Sequence, residues 1–140
     1  MVLIINKIFR IILITSILFI SGCEELYIVD CSECDVNEPT DCLLQIKLQV
    51  INGASAYDVT IYRGKIEDGV VVYNIGTASS FSYRVGLNSE YTVTATTVIN
   101  GKVYTAIDST RPKVKEITDA CDDVCYWVIN KSVNLKFKYL

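Results

Sequence analysis

From residue 43 onward, apolar and polar side chains alternate with a period of two, the pattern of strands that bury one face. In LLQIKLQV (43–50), Leu44, Ile46, Leu48 and Val50 fall on one side, and Gln45, Lys47 and Gln49 on the other. Asn52-Gly53 breaks that run. YDVTIYR follows with Tyr57, Val59 and Ile61 inward, and a charged loop then runs from Gly64 to Gly69. VVVYNI and FSYRV predict two more strands, the second placing Phe81, Tyr83 and Val85 together. EYTVTATTVI is the longest, with Tyr91, Val93, Ala95, Thr97 and Ile99 on one side. Asn100-Gly101 joins it to KVYTAIDS, and Asn-Gly between two strand-like runs is the strongest short hairpin signal. Pro112 ends this pair because proline cannot donate to a ladder. Beyond a cysteine-bearing loop, CYWVI and VNLKFKY read as a last pair around Asn130-Lys131-Ser132. Their inward residues are Tyr126 and Val128, then Val133, Leu135, Phe137 and Tyr139.

With no convincing helix, the expected fold is all-β: a single sandwich of about 7–8 antiparallel strands. Two stretches carry a resemblance. VTIYRG, EDG and FSYRVGLNSEYTVTA look like prealbumin-like domains of the carboxypeptidase-regulatory and collagen-adhesin B-repeat kind. LNSEYTVTA also resembles the Tyr-x-Val strand of fibronectin type III domains. The resemblance implies an immunoglobulin-like or prealbumin-like sandwich and carries no activity with it.

Residues 1–22 follow a different rule. Lys7 and Arg10 are the only charges, and 11–20 is almost wholly apolar. A basic start and an apolar run of about 10 residues make a secretory signal peptide. The run is short beside the roughly 20 residues of a membrane-spanning helix. It ends in Ile20-Ser21-Gly22-Cys23, which resembles the lipobox of bacterial lipoproteins. That resemblance implies a diacylglycerol on the Cys23 thiol and cleavage before it. Two or more acyl chains give stable anchoring, at about 0.8 kcal/mol per buried CH2. Glu24-Glu25 behind it resembles the surface-export signal of Bacteroidetes-type lipoproteins; the alternative is a plain acidic tether facing the periplasm. Taken whole, the chain is similar to small lipoproteins of gut Bacteroidetes. The expected organisation is a signal peptide over 1–22, a lipidated acidic tether over 23–42 and the sandwich over 43–140.

Cleavage removes two cations and no acid, taking the formal net charge from −3 to −5. An acidic chain lacks the basic footprint of a nucleic-acid binder. It has no histidine, hence neither the commonest general base nor the commonest metal ligand. Residues 24–42 hold seven acids and no base, which suits a solvated tether.

With Cys23 acylated, five cysteines remain. An exported chain meets an oxidising compartment, so Cys31 and Cys34 are expected to bridge to Cys121 and Cys125. Loops of about 90 residues closed this way are worth on the order of 4 kcal/mol in the chain-entropy model. Cys42 is the expected spare thiol. A four-cysteine zinc site and a redox Cys-x-x-Cys are the rival readings.

Little else suggests chemistry. Glu67-Asp68 reads as a solvated turn. Asp119, Asp122 and Asp123 are weak calcium candidates, because calcium wants six to eight oxygens. A lysine–asparagine isopeptide bond, raised by the adhesin-like resemblance, would use Lys47 and Asn134, yet alternation turns both outward. Thr92, Thr94 and Thr96 form an outward stripe with Thr60 and Thr105, read as a solvated face or a ligand-binding one. Tyr62, Tyr73, Tyr104 and Trp127 are expected at the surface, where aromatics anchor glycans or proteins. Asp108-Ser109-Thr110 resembles the short O-glycosylation acceptor of exported Bacteroidetes proteins, with Ser109 as acceptor.

The expected function is therefore non-catalytic: a binding, adhesion or accessory module, lipid-anchored at the outer membrane, with a glycan or protein ligand and no cofactor. The alternative is a periplasm-facing structural partner of an envelope assembly. A redox or metal site on the cysteine pairs comes third.

Overall fold

The structure, a computed structural model, describes residues 30–33, 35–118, 121 and 124–138. The expected signal peptide, lipobox, Cys23, Glu24-Glu25, Cys34, Asp119, Asp122, Asp123 and Tyr139 lie outside the described residues.

The described chain is all-β. After a 3-10 turn at Cys31–Glu33 come nine strands: β1 (Asp41–Leu48), β2 (Tyr57–Arg63), β3 (Val70–Thr77), β4 (Phe81–Gly86), β5 (Tyr91–Ile99), β6 (Lys102–Thr110), β7 (Lys113–Ile117), β8 (Cys125–Ile129) and β9 (Ser132–Leu135). A sheet in the order β4-β1-β9 packs against one in the order β3-β2-β5-β6, and β7-β8 forms a third, small sheet. The expected β-sandwich is present. β1 begins at Asp41, two residues before the strand read from the sequence.

Alternation decides what each strand buries. Leu44, Ile46 and Leu48 of β1 face Tyr57, Val59 and Ile61 of β2 and Tyr91, Val93 and Ala95 of β5 across one core. Burying a side chain of the Leu, Ile or Phe class stabilises by about 1.5–3 kcal/mol, so this layer is the main source of stability. Phe137, just beyond β9, closes one end of the core with its ring centroid 5.5 Å from that of Tyr57. The Tyr57 hydroxyl accepts from Ile51 N at 2.8 Å, which satisfies a polar atom on a nearly fully buried ring.

The β5–β6 hairpin turns at Asn100-Gly101 as the sequence predicts. Both residues are left-handed, at φ 49° and 76°, which matches the twist of the flanking strands. At Gly69, by contrast, φ is ordinary and space is the constraint: an added Cβ would sit 2.1 Å from Lys65 O.

Three expectations fail at the C-terminal end. Residues 113–117, where the pattern predicts no strand, form β7. β8 does not pair with β9; it pairs antiparallel with β7, with Val114 opposite Val128. β9 crosses to the other sheet and runs parallel to β1, the one parallel pair among the described strands. The physical reason is that Val133, Leu135 and Phe137 carry apolar surface that the main core covers and a short β8–β9 hairpin cannot.

Candidate functional site

Of the paired cysteines, Cys31, Cys121 and Cys125 are among the described residues. Cys31 and Cys121 form a disulfide with an S–S distance of 2.04 Å and a sequence separation of 90. Cys125, buried at the start of β8, is also disulfide-bonded. Between them the backbones of Asp35 and Tyr126 exchange two hydrogen bonds, Tyr126 N to Asp35 O at 2.9 Å and Asp35 N to Tyr126 O at 3.3 Å. The acidic stretch before β1 is therefore stitched to the loop and strand around Cys121 and Cys125. Cys42 is free and buried, as expected for the spare thiol. Burial pushes its pKa up; Lys131 opposes this, Asp41 adds to it, and Arg84 opposes it. A buried, protonated thiol is a poor nucleophile. Exposed Asp30 is held below the ordinary carboxylate range by the Ser32 hydroxyl and backbone N–H. With Cys31 and Cys121 joined to each other, neither is available to a zinc ion. Among the described residues no group of three or more Cys, Asp or Glu is placed to hold a metal.

The threonine stripe is real as geometry. Register places Thr60 beside Thr94, and Thr96 between Asp58 and Thr105, all on the outer face of the β3-β2-β5-β6 sheet. Asn74 Nδ2 donates to Asp58 Oδ1 at 2.9 Å and to Thr60 Oγ1 at 2.7 Å, and Thr96 and Thr105 hydroxyls lie 3.3 Å apart. These groups largely satisfy one another. Thr92 departs from the solvated stripe: it is buried, and its hydroxyl donates to Gly64 O at 2.7 Å.

The aromatic side chains do not form a surface cluster. Tyr73 stacks on Tyr83 at 4.4 Å, and both pack against the core, as does Tyr104. Trp127 is half-buried, with Lys131 Nζ 5.5 Å from its ring. Tyr62 is half-buried on the outer face of β2. The expected surface placement of Tyr73 and Tyr104 is thus corrected. The cause is plain alternation: Tyr73 lies opposite buried Ile61 in the β2–β3 ladder, and Tyr104 shares a face of β6 with buried Ala106.

Alternation splits the Asp108-Ser109-Thr110 motif between two faces. Ser109 is exposed on the outer face beside Thr92 and Glu67, in an open groove. Asp108 and Thr110 point the other way. Asp108 Oδ2 accepts from Asn134 N at 2.6 Å, Oδ1 accepts from Ser109 N at 2.9 Å, and Thr110 donates to Asn130 O at 2.7 Å. Two side chains of β6 thus clamp the edge of β9. The sequence reading missed this role; the inward position of an acid on an alternating strand was the available signal. Lys47 and Asn134 are register neighbours in the parallel ladder, and both are exposed, so neither has the buried setting an isopeptide bond would need. Glu67 and Asp68 sit exposed in the β2–β3 turn.

No protein-family model matches the chain, no curated protein matches it, and no solved structure matches it.

Proposed function

We propose that this chain is a lipid-anchored, disulfide-stapled, non-catalytic binding or accessory module of the outer membrane, carried on Cys23. The observation that supports this most is the Cys31–Cys121 disulfide together with the Asp35–Tyr126 bridge. A disulfide between residues 90 apart belongs to an oxidising compartment, and it fixes where a tether from Cys23 meets the domain. Cys34 is proposed as the partner of Cys125, because the neighbouring residues Asp35 and Tyr126 are paired through their backbones. Ser109, exposed beside two inward-turned neighbours, is the proposed glycosylation acceptor.

Two measurements test the reading. Mass spectrometry of the mature N-terminus should find acylated Cys23, and an unmodified Met1 or a cleavage elsewhere rejects the anchor. Protease shaving of intact cells, with a periplasmic control, should release peptides of the domain. Protection until the outer membrane is broken rejects surface display and supports the envelope-assembly role instead.

A further inference from the structure

The two outer faces of the sandwich differ in charge. Threonines and Asp58 occupy the outer face of β3-β2-β5-β6, flanked by the Glu67-Asp68 turn. The outer face of β4-β1-β9 carries Arg84 on β4, Lys47 on β1, and Lys136 and Lys138 just past β9, all exposed. Its acid, Asp41, is paired with Arg84. At its rim, Asp108 is occupied by two backbone N–H groups.

The ladders fix the order of these groups. Leu43 lies opposite Arg84, Gln45 lies between Ser82 and Ser132, and Lys47 lies beside Asn134. Past β9, Gln49 N donates to Leu135 O and Phe137 N donates to Gln49 Oε1, so Lys136 emerges level with Gln49. The cations therefore run obliquely across three strands, from Arg84, whose charge Asp41 offsets, through Lys47 and Lys136, unpaired among the described residues, with Lys138 beyond. Strand spacing and rise make the line from Arg84 to Lys136 roughly 22 Å long.

Resting on the binding-module reading, we propose that this face binds a linear polysaccharide bearing carboxylate or sulfate groups, laid along the cation line. Separated cations in a row match a polymer with repeated charges, whereas a single small anion needs them converged. Gln45, Ser82, Ser132 and Asn134, exposed among the cations, offer amides and hydroxyls that can hydrogen-bond a sugar chain. A membrane surface fits less well, because docking there combines cations with inserted apolar side chains, and this face exposes Leu43 as its large apolar residue.

The test is affinity electrophoresis of the purified full chain through gels containing polygalacturonate, dextran sulfate or neutral dextran. Retardation is expected with the two anionic polymers, absent with neutral dextran, and lost at high salt. A Lys47→Gln/Lys136→Gln/Lys138→Gln variant should bind about tenfold more weakly. A Lys65→Gln/Lys102→Gln/Lys113→Gln variant makes the same charge change elsewhere and should differ less than about twofold. All six lysines are exposed, so unchanged thermal unfolding should show that both variants fold. Equal weakening by the two variants, or no retardation by either anionic polymer, overturns the proposal. Retardation by neutral dextran alone overturns it too and leaves a binding module working through another face. Recruitment to vesicles of anionic phospholipid without polymer binding assigns the face to a membrane instead. None of these outcomes alters the acylation or shaving results, so failure of this inference is distinct from failure of the anchor.

Discussion

Asp108 accepts one N–H from its own strand and another from Asn134 across the edge of the sandwich. Asp108→Ala leaves the Asn134 N–H without its partner, and the expected cost is about 1–3 kcal/mol in urea unfolding. Asp108→Asn keeps an acceptor oxygen and should cost less; equal loss in the two variants would point to packing as the cause. Cys42 gives a pH prediction. Its thiol is raised above the ordinary 9.0 by burial, so above pH 9.0 the unfolded chain ionises first and loses protons that the folded chain keeps. Stability should therefore be intact below that pH and fall as pH climbs toward the folded value, and Cys42→Ala should flatten the fall. Asp108 also shows how far alternation reaches. It put Lys47 and Asn134 outside, where the structure has them. It could mark Asp108 as an inward acid but not name the strand it serves, because that partner lies 26 residues away.

Two glycines, Gly69 before β3 and Gly76 within it, differ in the room they leave. Gly69 has no room for a Cβ, whereas a Cβ at Gly76 meets nothing within 4 Å. Gly69→Ala should destabilise by about 1–3 kcal/mol, and Gly76→Ala should be near neutral, both read from thermal unfolding. A neutral Gly69→Ala would mean that the 65–69 turn shifts freely. At the same scale, the strands from β1 to β6 were legible because period-two patterning and Asn-Gly chemistry are local. β7 was not, since KVKEI alternates weakly and follows a proline. The β8–β9 pairing was misread for a different reason: pattern fixes which face of a strand is buried, and says nothing about which sheet accepts it. A short polar link at Asn130-Lys131 looks like a hairpin turn whether the chain returns or crosses over.

For the whole molecule, the cross-links dominate. The Cys31–Cys121 loop corresponds to roughly 4–5 kcal/mol of chain entropy at its length of 90. The second disulfide, at Cys125, constrains much of the same loop if Cys34 is its partner. Cys31→Ser/Cys121→Ser should then lose only a small part of that stability, and adding Cys125→Ser should remove the rest, as measured by denaturant midpoints. A full loss from the first pair alone would place the Cys125 bond elsewhere. Thiol titration of the unfolded, unreduced mature protein should find one thiol, Cys42, if Cys23 is acylated. The disulfide staple was readable from cysteine spacing and the expected export of the chain. The charge difference between the two outer faces was not, because it depends on which strands become neighbours.

The same staple sets how the domain carries mechanical load. A pull entering before Cys31 and leaving after Cys121 passes directly through the bond between them. The residues between them, which include both edges of the large sheet, are outside the force path. At about 3.5 Å per residue, the bond withholds about 300 Å of extension from a stretched chain. Only the short run through β8 and β9 remains to pay out, so the two points of pull stay close together even after the last strand has come free.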